Sequence, residues 1–315
     1  MMDRDSRILV VDALAFIGSA IVRRLKEKGF KRIIKWPNSS SEILNRPRVD
    51  SFFAKNKPEY VFLSAGRSAG IWGNVKFPAE LMLDNLLIES YIIDSAYRHG
   101  VKKLLYLASN CCYPKDCLQP MSEDLLLTGP FEQTNEPYAV AKIAGLKLVQ
   151  SYRIQYGVDF ICGIPANTFG PGDDFSEMDS HVFGALIQRI HEAKKKRSKT
   201  VVIWGTGSPK REFMYVDELA DACIFIMNKY NDLEPINLSA GNGLTIAELA
   251  YLIRSAVGFK GRFVFDRSKP NGMPVKLLDT SKLKKLGWRP AISFKKALDL
   301  TYAWFLKQGG KRDRQ

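Results

Sequence analysis

The stretch that decides the fold is residues 7–28, which read RILVVDALAFIGSAIVRRLKEK. Its first five residues, Arg7–Val11, form a strand-length run rich in β-branched residues, and Ile17–Lys28 has the spacing of an amphipathic helix. A short turn separates the two elements, and Gly18 lies just inside the helix. A strand followed closely by such a turn and a helix is the first half of the unit from which parallel sheets are built. We therefore predict that the chain begins with such a unit.

The same alternation continues through the first half of the chain. Four further strands are predicted at Arg32–Trp36, Tyr60–Ala65, Lys103–Ser109 and Asp159–Ala166. Helices between them are predicted at Val49–Lys55, Ala79–Arg98 and Tyr138–Tyr156. This order predicts the α/β fold class, with a Rossmann-like doubly wound parallel sheet.

The pattern changes after Gly170. Loop-rich stretches are predicted at Gly170–Ser180 and Lys196–Arg211, a strand at Asn237–Ala240 and a helix at Thr245–Val257. We expect residues 1–169 to form a dinucleotide-binding domain, with a return around residues 215–241. Residues 170–315 should form mainly a smaller C-terminal substrate-binding lobe, and Gly309–Gln315 a free tail.

Composition excludes several classes of protein. The 315 residues are 46% hydrophobic and 25% charged, as in ordinary globular proteins. No apolar run is long enough to span a bilayer, and the apolar run Ile8–Val11 is too short for a signal peptide. Five irregularly spaced cysteines indicate neither a disulfide scaffold nor a metal site, so we expect reduced thiols in a cytoplasmic protein.

The chain is basic, with 47 Lys and Arg against 33 Asp and Glu and a formal charge of +14. The densest cluster, Lys194–Arg197, has no interleaved aromatic residue for stacking on bases and is interpreted as a solvated loop. Charge alone therefore gives little support to nucleic-acid binding, and favours an anionic substrate only weakly.

The turn after the first strand departs from the glycine-rich pattern of dinucleotide sites. On the spacing G-x-x-G-x-x-G, Asp12 and Ala15 occupy the first two places and only Gly18 remains. A carboxylate here should repel a pyrophosphate and lower cofactor affinity, while Gly18 could equally serve only helix packing. Residues 29–41 contain no acidic residue but several basic ones, which leans toward NADP rather than NAD.

A catalytic group is indicated by three residues. Tyr138 and Lys142 are four residues apart on a predicted helix, so their side chains share a face, and an ammonium there should lower the pKa of the phenol. Ser109 ends a predicted strand, at the sheet edge where parallel sheets present residues to ligands. Without further context, a Tyr-x-x-x-Lys spacing is usually just helix surface.

The chain resembles the GDP-L-fucose synthase family of extended short-chain dehydrogenases over nearly its whole length. The matching blocks are Ser109–Pro114, Thr134–Gly145, Ser180–Val182, Arg211–Phe213 and Lys276–Asp279. The resemblance implies an NADP(H)-dependent epimerase–reductase that acts on a GDP-linked 4-keto-6-deoxy sugar. It also implies a homodimer that binds a nucleotide sugar, with neither nucleic acid nor membrane as a partner.

The resemblance assigns roles to single residues. Tyr138 is expected to protonate the carbon-4 oxygen, Lys142 to hold the nicotinamide ribose, and Ser109 to bond the keto oxygen. Cys111 matches the epimerisation base and His181 its opposing acid. Read alone, Cys111 is a buried small residue and His181 a surface residue at a helix start. Further cofactor contacts are implied for Gly18, Phe16, Ile17, Ala108, Pro165, Asn167, Thr168 and His181.

Substrate contacts are implied for Arg189, Trp204 and Arg211, and for Asn271, where the family usually has aspartate. Without the resemblance, Arg189 is interpreted as an exposed helix arginine and Trp204 as a core tryptophan. Arg211 is then interpreted as a structural arginine paired with Glu212 or Asp217. Two other departures from the family are Ser68-Ala69-Gly70 and Val275. An epimerase without the reduction step and a non-catalytic homologue with impaired cofactor binding therefore remain alternatives.

Overall fold

A computed structural model gives the three-dimensional structure of the chain. It describes residues 1–36, 40–68, 70–176, 180–269 and 271–309. The expected tail at 309–315 lies outside these residues except for Gly309, and so does Ala69 of the departing loop.

Twelve strands are present in the described residues. They are β1 (Ile8–Val11), β2 (Ile33–Lys35), β3 (Tyr60–Leu63), β4 (Lys103–Leu107), β5 (Asp159–Pro165), β6 (Asn167–Phe169), β7 (Thr200–Trp204), β8 (Lys210–Tyr215), β9 (Ile236–Leu238), β10 (Gly243–Thr245), β11 (Arg262–Asp266) and β12 (Val275–Lys276).

Eleven α-helices occur in the same ranges. They are α1 (Phe16–Glu27), α2 (Ser40–Ile43), α3 (Arg46–Asn56), α4 (Ile71–Lys76), α5 (Pro78–Arg98), α6 (Glu136–Tyr156), α7 (Val182–Lys195), α8 (Val216–Lys229), α9 (Ile246–Val257), α10 (Ser281–Lys285) and α11 (Phe294–Lys307). Short 3-10 helices span Asn110–Cys112, Glu123–Leu125 and Gln133–Asn135.

The main sheet has six strands in the order β2-β1-β3-β4-β5-β9, all of them parallel. This confirms the predicted doubly wound sheet, and the predicted strands and helices match the observed ones to within about three residues at each end. Strand β1 lies between β2 and β3, so the chain order reverses beside it. Crevices at such reversals, outside the carboxyl ends of the strands, are where ligands bind in this class of sheet.

The second half of the chain holds two smaller sheets. Strand β8 pairs with β6, β10 and β12, and β7 pairs with β11. The predicted loop at Lys196–Arg211 is therefore wrong in part, because β7 lies inside it. Alternate residues of β7 are buried, an alternation that its nearly all apolar sequence does not show. The basic cluster Lys194–Arg197 is exposed, but its first two residues belong to α7 rather than to a loop.

Two hydrophobic cores hold these layers. The larger one is formed by the main sheet and its helices, with fully buried residues such as Leu9, Phe62 and Ile161. The smaller one joins α7, α9 and α11 through residues such as Phe183 and Phe305. Helix α8 packs on α1, and β9, the last strand of the main sheet, follows α8 in the chain.

Candidate active site

The site begins where β4 ends. Ser109 follows that strand and caps the 3-10 helix Asn110–Cys112, with its Oγ accepting a hydrogen bond from the Cys111 amide at 3.2 Å. Helix α6 packs against this 3-10 helix and starts with Pro137 in its first turn, where a missing N–H costs no helical bond. Tyr138 is thereby brought to the Ser109 side chain, with which its phenol interacts.

The acidity of Tyr138 differs from the sequence prediction. Burial raises the pKa of the phenol well above its ordinary range, Cys111, Cys112 and Glu89 raise it further, and the Ser109 side chain opposes the rise. The pKa of Tyr138 is therefore raised in this structure, and not lowered as the sequence predicted. The main physical reason is the burial of the phenol.

Lys142 is buried, with 4% of its surface exposed. Its Nζ donates to Glu89 Oε1 at 2.9 Å and to the carbonyl oxygen of Leu107 at 3.1 Å, and it lies 4.9 Å from the centre of the Tyr106 ring. A lysine has three N–H donors, so one remains for a ligand. Sequence reasoning missed Glu89, because a lone carboxylate in the middle of an amphipathic helix gives no functional signal.

Cys111 lies among polar groups rather than in an apolar pocket. Its Sγ accepts from Asn135 Nδ2 at 3.2 Å, and Lys276 Nζ lies 3.7 Å away. The thiol is half-buried. The interpretation of Cys111 as a buried small residue is therefore wrong, since the sulfur is half-buried beside an amide N–H and an ammonium. Asn135 and Lys276 belong to matching blocks of the sequence, but no role was predicted for them.

His181 is the N-cap residue of α7 and is exposed. This position agrees with its reading as a surface residue at a helix start. Its pairing with Cys111 in an epimerisation remains a prediction.

The turn between β1 and α1 contains the departure from the glycine pattern. Asp12 has a backbone φ of 64°, in the left-handed region that glycine usually supplies, and burial raises the pKa of its carboxyl to about 6. A Cβ at Gly18 would lie 2.1 Å from the carbonyl oxygen of Asp12, so the remaining glycine is required for packing against this turn. Phe16 and Ile17, both half-buried, begin the helix after Ala15.

The other expected cofactor contacts lie at the carboxyl ends of β4 and β5. Ala108 is buried, and its amide donates to the Gly163 carbonyl at 2.9 Å. Pro165 ends β5, and Asn167 and Thr168 start β6. The Asn167 Oδ1 accepts from Asn110 Nδ2 at 3.3 Å, which links β6 to the 3-10 helix next to Ser109.

A second set of residues surrounds an exposed indole at the end of β7. Trp204 is 61% exposed, so its interpretation as a core residue is wrong. The Arg189 guanidinium carbon and the Lys269 Nζ lie 5.6 Å and 5.7 Å from its ring centre. The Asn271 Oδ1 accepts from the amide of Thr206 at 2.8 Å, so Asn271 fixes the turn that follows the tryptophan. Lys269 was not identified from the sequence.

Arg211 lies on β8 and is partly buried, which lowers the pKa of its guanidinium. It has no carboxylate partner among the described residues: Glu212 accepts from the Leu278 amide, and Asp217 binds Arg23. The interpretation of Arg211 as a structural ion pair is therefore wrong. A desolvated cation without an acidic partner is suited to an anionic ligand. Val275, the other departure, begins β12 beside this strand.

The described part of the chain contains no cluster of three or more His, Cys, Asp or Glu side chains suited to a metal ion. Nor does any helix within it have the length and apolar character needed to cross a membrane.

Comparison with known proteins agrees with this geometry. Residues 8–241 match the NAD dependent epimerase/dehydratase family. GDP-L-fucose synthase 1 of Arabidopsis thaliana is 48% identical over 98% of this chain and 95% of its own. GDP-L-fucose synthase of Escherichia coli is 43% identical over 96% and 97% of the two chains.

Solved structures give the same result. A GDP-L-fucose synthetase from Naegleria fowleri bound to NADP superposes with a TM-score of 0.91 at 28% identity, covering 99% of this chain and 96% of that one. A GDP-mannoheptose C4 reductase from Campylobacter jejuni with NADP bound gives 0.88 at 32% identity, covering 97% and 100%. The chain therefore belongs to the NAD dependent epimerase/dehydratase family and, within it, to the family of the GDP-L-fucose synthases.

Proposed function

We propose that the chain is an NADP(H)-dependent epimerase–reductase acting on a GDP-linked 4-keto-6-deoxy sugar. The observation that supports this most strongly is the meeting of Ser109 and Tyr138 at the carboxyl end of β4, with Lys142 behind them and Cys111 alongside. One hydroxyl, one phenol and one thiol at a single sheet edge supply the groups that both steps require.

In the reduction, Ser109 binds and orients the keto oxygen of the sugar. Tyr138 holds a proton at its hydroxyl and releases it to that oxygen as the carbon is reduced. A raised pKa keeps the phenol protonated before the step, as an acid requires. Reduced nicotinamide supplies the hydride when bound.

In the epimerisation, Cys111 removes a proton from a carbon next to the ketone. The ammonium of Lys276 and the Asn135 amide lie 3.7 Å and 3.2 Å from Sγ and hold the sulfur in place for this step. We assign the return of the proton on the opposite face to His181.

The residues present suit an NADP(H) cofactor, with one cost. Helix α1 begins at Phe16, and its N-cap residue Ala15 provides no side-chain hydrogen bond, so the first N–H groups of the helix can face a pyrophosphate. Lys142 retains one donor for a ribose hydroxyl. The lining of a shallow cleft of about 390 Å³ between α1 and β2 includes the basic Arg23, Lys26 and Lys35 and the acidic Glu27, a positive balance that favours a 2′-phosphate. The cost is the Asp12 carboxylate, and NAD is the other cofactor to test.

The nucleotide end of the substrate is assigned to the second set of residues. Trp204 offers an exposed face for stacking, flanked by Arg189 and Lys269. Arg211 supplies a cation for the diphosphate. Asn271 holds the turn after Trp204 and lacks the charge of the aspartate expected there. The GDP part of the substrate is inferred from these residues and from the family.

Asp12 favours a second candidate, an epimerase that lacks the reduction step. Proton transfer at Cys111 and His181 needs no hydride, so an enzyme with weak cofactor affinity could still epimerise. The buried carboxylate at the start of the pyrophosphate turn is the observation that supports this alternative.

We further propose that the protein is a cytoplasmic homodimer. Its five cysteines are free thiols, as expected in a reducing compartment. Helices α5 and α6 pack together and expose Leu83, Ile154 and Tyr156, which gives them apolar surface for a second copy. We also propose that residues 1–169 with 215–241 form the cofactor-binding part, and the rest of 170–315 mainly the substrate lobe.

One experiment tests the function. The protein is incubated with GDP-4-keto-6-deoxy-mannose in deuterated water, with and without NADPH. Deuterium uptake together with NADPH oxidation is the expected result. Deuterium uptake alone would identify an epimerase without the reduction step. Absence of both signals would contradict both candidates and indicate a non-catalytic homologue or another substrate.

A further inference from the structure

The backbone that follows Lys276 is held by three other segments of the chain. The next three residues, Leu277–Asp279, each donate a backbone N–H to a different acceptor. In chain order, the acceptors are Gln119 Oε1 at 2.9 Å, Glu212 Oε2 at 2.8 Å and the Met121 carbonyl oxygen at 2.8 Å. These hydrogen bonds fix the place at which the Lys276 side chain leaves the backbone.

Asn237 of β9 anchors two of these segments to the main sheet. Its side chain is buried, and its Nδ2 donates to the carbonyl oxygens of Met121 and Asp279 at 3.0 Å and 3.1 Å. Its Oδ1 accepts from the Tyr113 hydroxyl at 2.7 Å. Both donors and the acceptor of this amide are used, as is usual for polar groups in a core. The core of the protein therefore sets the positions of Met121 and Asp279.

Gln119 is the acceptor that belongs to the same loop as Cys111. Its Nε2 donates to the carbonyl oxygen of Cys117 at 3.5 Å, within this loop. Its Oε1 accepts from the amide of Leu277, the residue after Lys276. One side-chain amide therefore joins the segment that carries the thiol to the segment that carries the ammonium.

The Lys276 ammonium needs such support. It is half-buried, donates to Cys111 Sγ at 3.7 Å and forms no ion pair within the described ranges. Arg211 lies opposite it in the pairing of β12 with β8, and like charges on neighbouring strands repel. A lysine side chain is also flexible. Because no carboxylate holds the ammonium, its place beside the sulfur depends on the position of its own backbone.

We propose that Gln119 is a positioning residue of the epimerisation: its side-chain oxygen holds the backbone next to Lys276, so that the ammonium lies beside Cys111. The inference rests on the proposed function, in which this thiol group removes a proton. In that step the C–H bond next to the ketone breaks and its proton goes to Sγ. The electron pair of that bond passes to the keto oxygen, which gives an enolate.

The placement of the ammonium can be measured without substrate. Iodoacetate and iodoacetamide alkylate the same sulfur by displacing iodide, but only iodoacetate carries a charge that a nearby cation attracts. The ratio of the two rates at Cys111 is measured at pH 7.5 by mass spectrometry of its peptide. Both rates depend on the same fraction of thiolate, so the ratio reports the cation and not the acidity of the thiol. From the Coulomb attraction at about 4 Å in water, Lys276→Met should lower the ratio about fivefold.

The test variant is Gln119→Met, which keeps a side chain of similar size but leaves the Leu277 amide without its acceptor. We expect it to lower the alkylation ratio by at least about twofold, and deuterium uptake into GDP-4-keto-6-deoxy-mannose by about threefold. Added to Lys276→Met, it should change either quantity by less than about 1.5-fold, because the group that it positions is already absent. A merely structural role would slow both alkylations alike and would lower uptake in either background.

The matched control is Gln308→Met, at an exposed glutamine that ends α11, which should behave as wild type. A wild-type ratio in Gln119→Met overturns the proposal, and so does a wild-type ratio in Lys276→Met. Should Gln119→Met not fold, Gln119→Asn, whose shorter side chain does not reach the Leu277 amide, is judged by the same ratio. Absence of deuterium uptake in the wild-type protein would overturn the proposed function and the assignment of Gln119 to an epimerisation, while the ratio would still show whether Gln119 places the ammonium.

Discussion

Replacing Asp12 by glycine should tighten the binding of NADP. The residue lies between β1 and α1 with a φ of 64°, and its pKa of about 6 leaves it ionised at pH 7.5. The residue belongs to the turn where a doubly wound fold binds pyrophosphate. Asp12→Gly removes the charge and supplies the residue that adopts this conformation without strain.

The size of the effect follows from Coulomb's law. Two like charges about 4 Å apart repel by roughly 1 kcal/mol in water and by about 4 kcal/mol at an effective dielectric constant of 20. The lower figure alone is about a fivefold change in an equilibrium constant. We therefore expect Asp12→Gly to lower the Kd for NADP⁺ by at least about fivefold at pH 7.5.

Calorimetric titration with NADP⁺ at pH 5.5 and 7.5 measures this directly. Asp12→Asn is the matched control, because it keeps the side chain without its charge. It also reports the pH dependence of the cofactor's own 2′-phosphate, which titrates near pH 6. When the pH is lowered from 7.5 to 5.5, the affinity of the wild-type protein for NADP⁺ should improve relative to that of Asp12→Asn, because the Asp12 carboxylate becomes protonated. Equal Kd values for wild type, Asp12→Asn and Asp12→Gly at pH 7.5 would refute the electrostatic argument.

Three other outcomes are expected. Burial raises the pKa of Asp12 from 3.8 to about 6, so the folded protein favours the protonated carboxyl. The stabilisation of the fold by this protonation is complete below pH 3.8 and is lost as the pH rises through about 6. Thermal melts should therefore show Asp12→Asn more stable than wild type at pH 7.5, by at most about 3 kcal/mol, and equal to it near pH 3.5. Trp204→Ala should raise the KM for the nucleotide sugar about tenfold with little change in kcat, since stacking contributes roughly 1–3 kcal/mol; Val202→Ala, exposed on the same strand, should change neither. Lys276→Met should slow deuterium uptake about tenfold and reduce alkylation of Cys111 at neutral pH, because it removes the ammonium beside the sulfur; wild-type values for both would contradict this reading.

The parallel sheet could be predicted from the sequence because its signals are local. Each buried strand is a short apolar run, and each helix is amphipathic, so their order alone gives the doubly wound fold. Strand β7 was missed, because its five residues are nearly all apolar and their alternation in burial depends on the pairing with β11.

The site residues could be named from the sequence, but not their partners. The positions of Ser109 and Tyr138 follow from a strand end and a helix start, which are local features. Glu89 is 53 residues from Lys142 in the chain, and Lys276 is 165 residues from Cys111. Such contacts exist only once the helices and sheets have packed, so spacing could not predict that Lys142 pairs with a buried carboxylate or that Cys111 lies beside an ammonium.

The central claim is that the Tyr138 phenol beside Ser109 is the proton donor of a reduction, separate from proton removal at Cys111. It is tested most directly by Tyr138→Phe and Cys111→Ser in deuterated water with GDP-4-keto-6-deoxy-mannose and NADPH. Tyr138→Phe should lose at least about 100-fold in NADPH oxidation while retaining deuterium uptake, whereas Cys111→Ser should lose the uptake. Oxidation of NADPH by Tyr138→Phe at the wild-type rate would contradict the account.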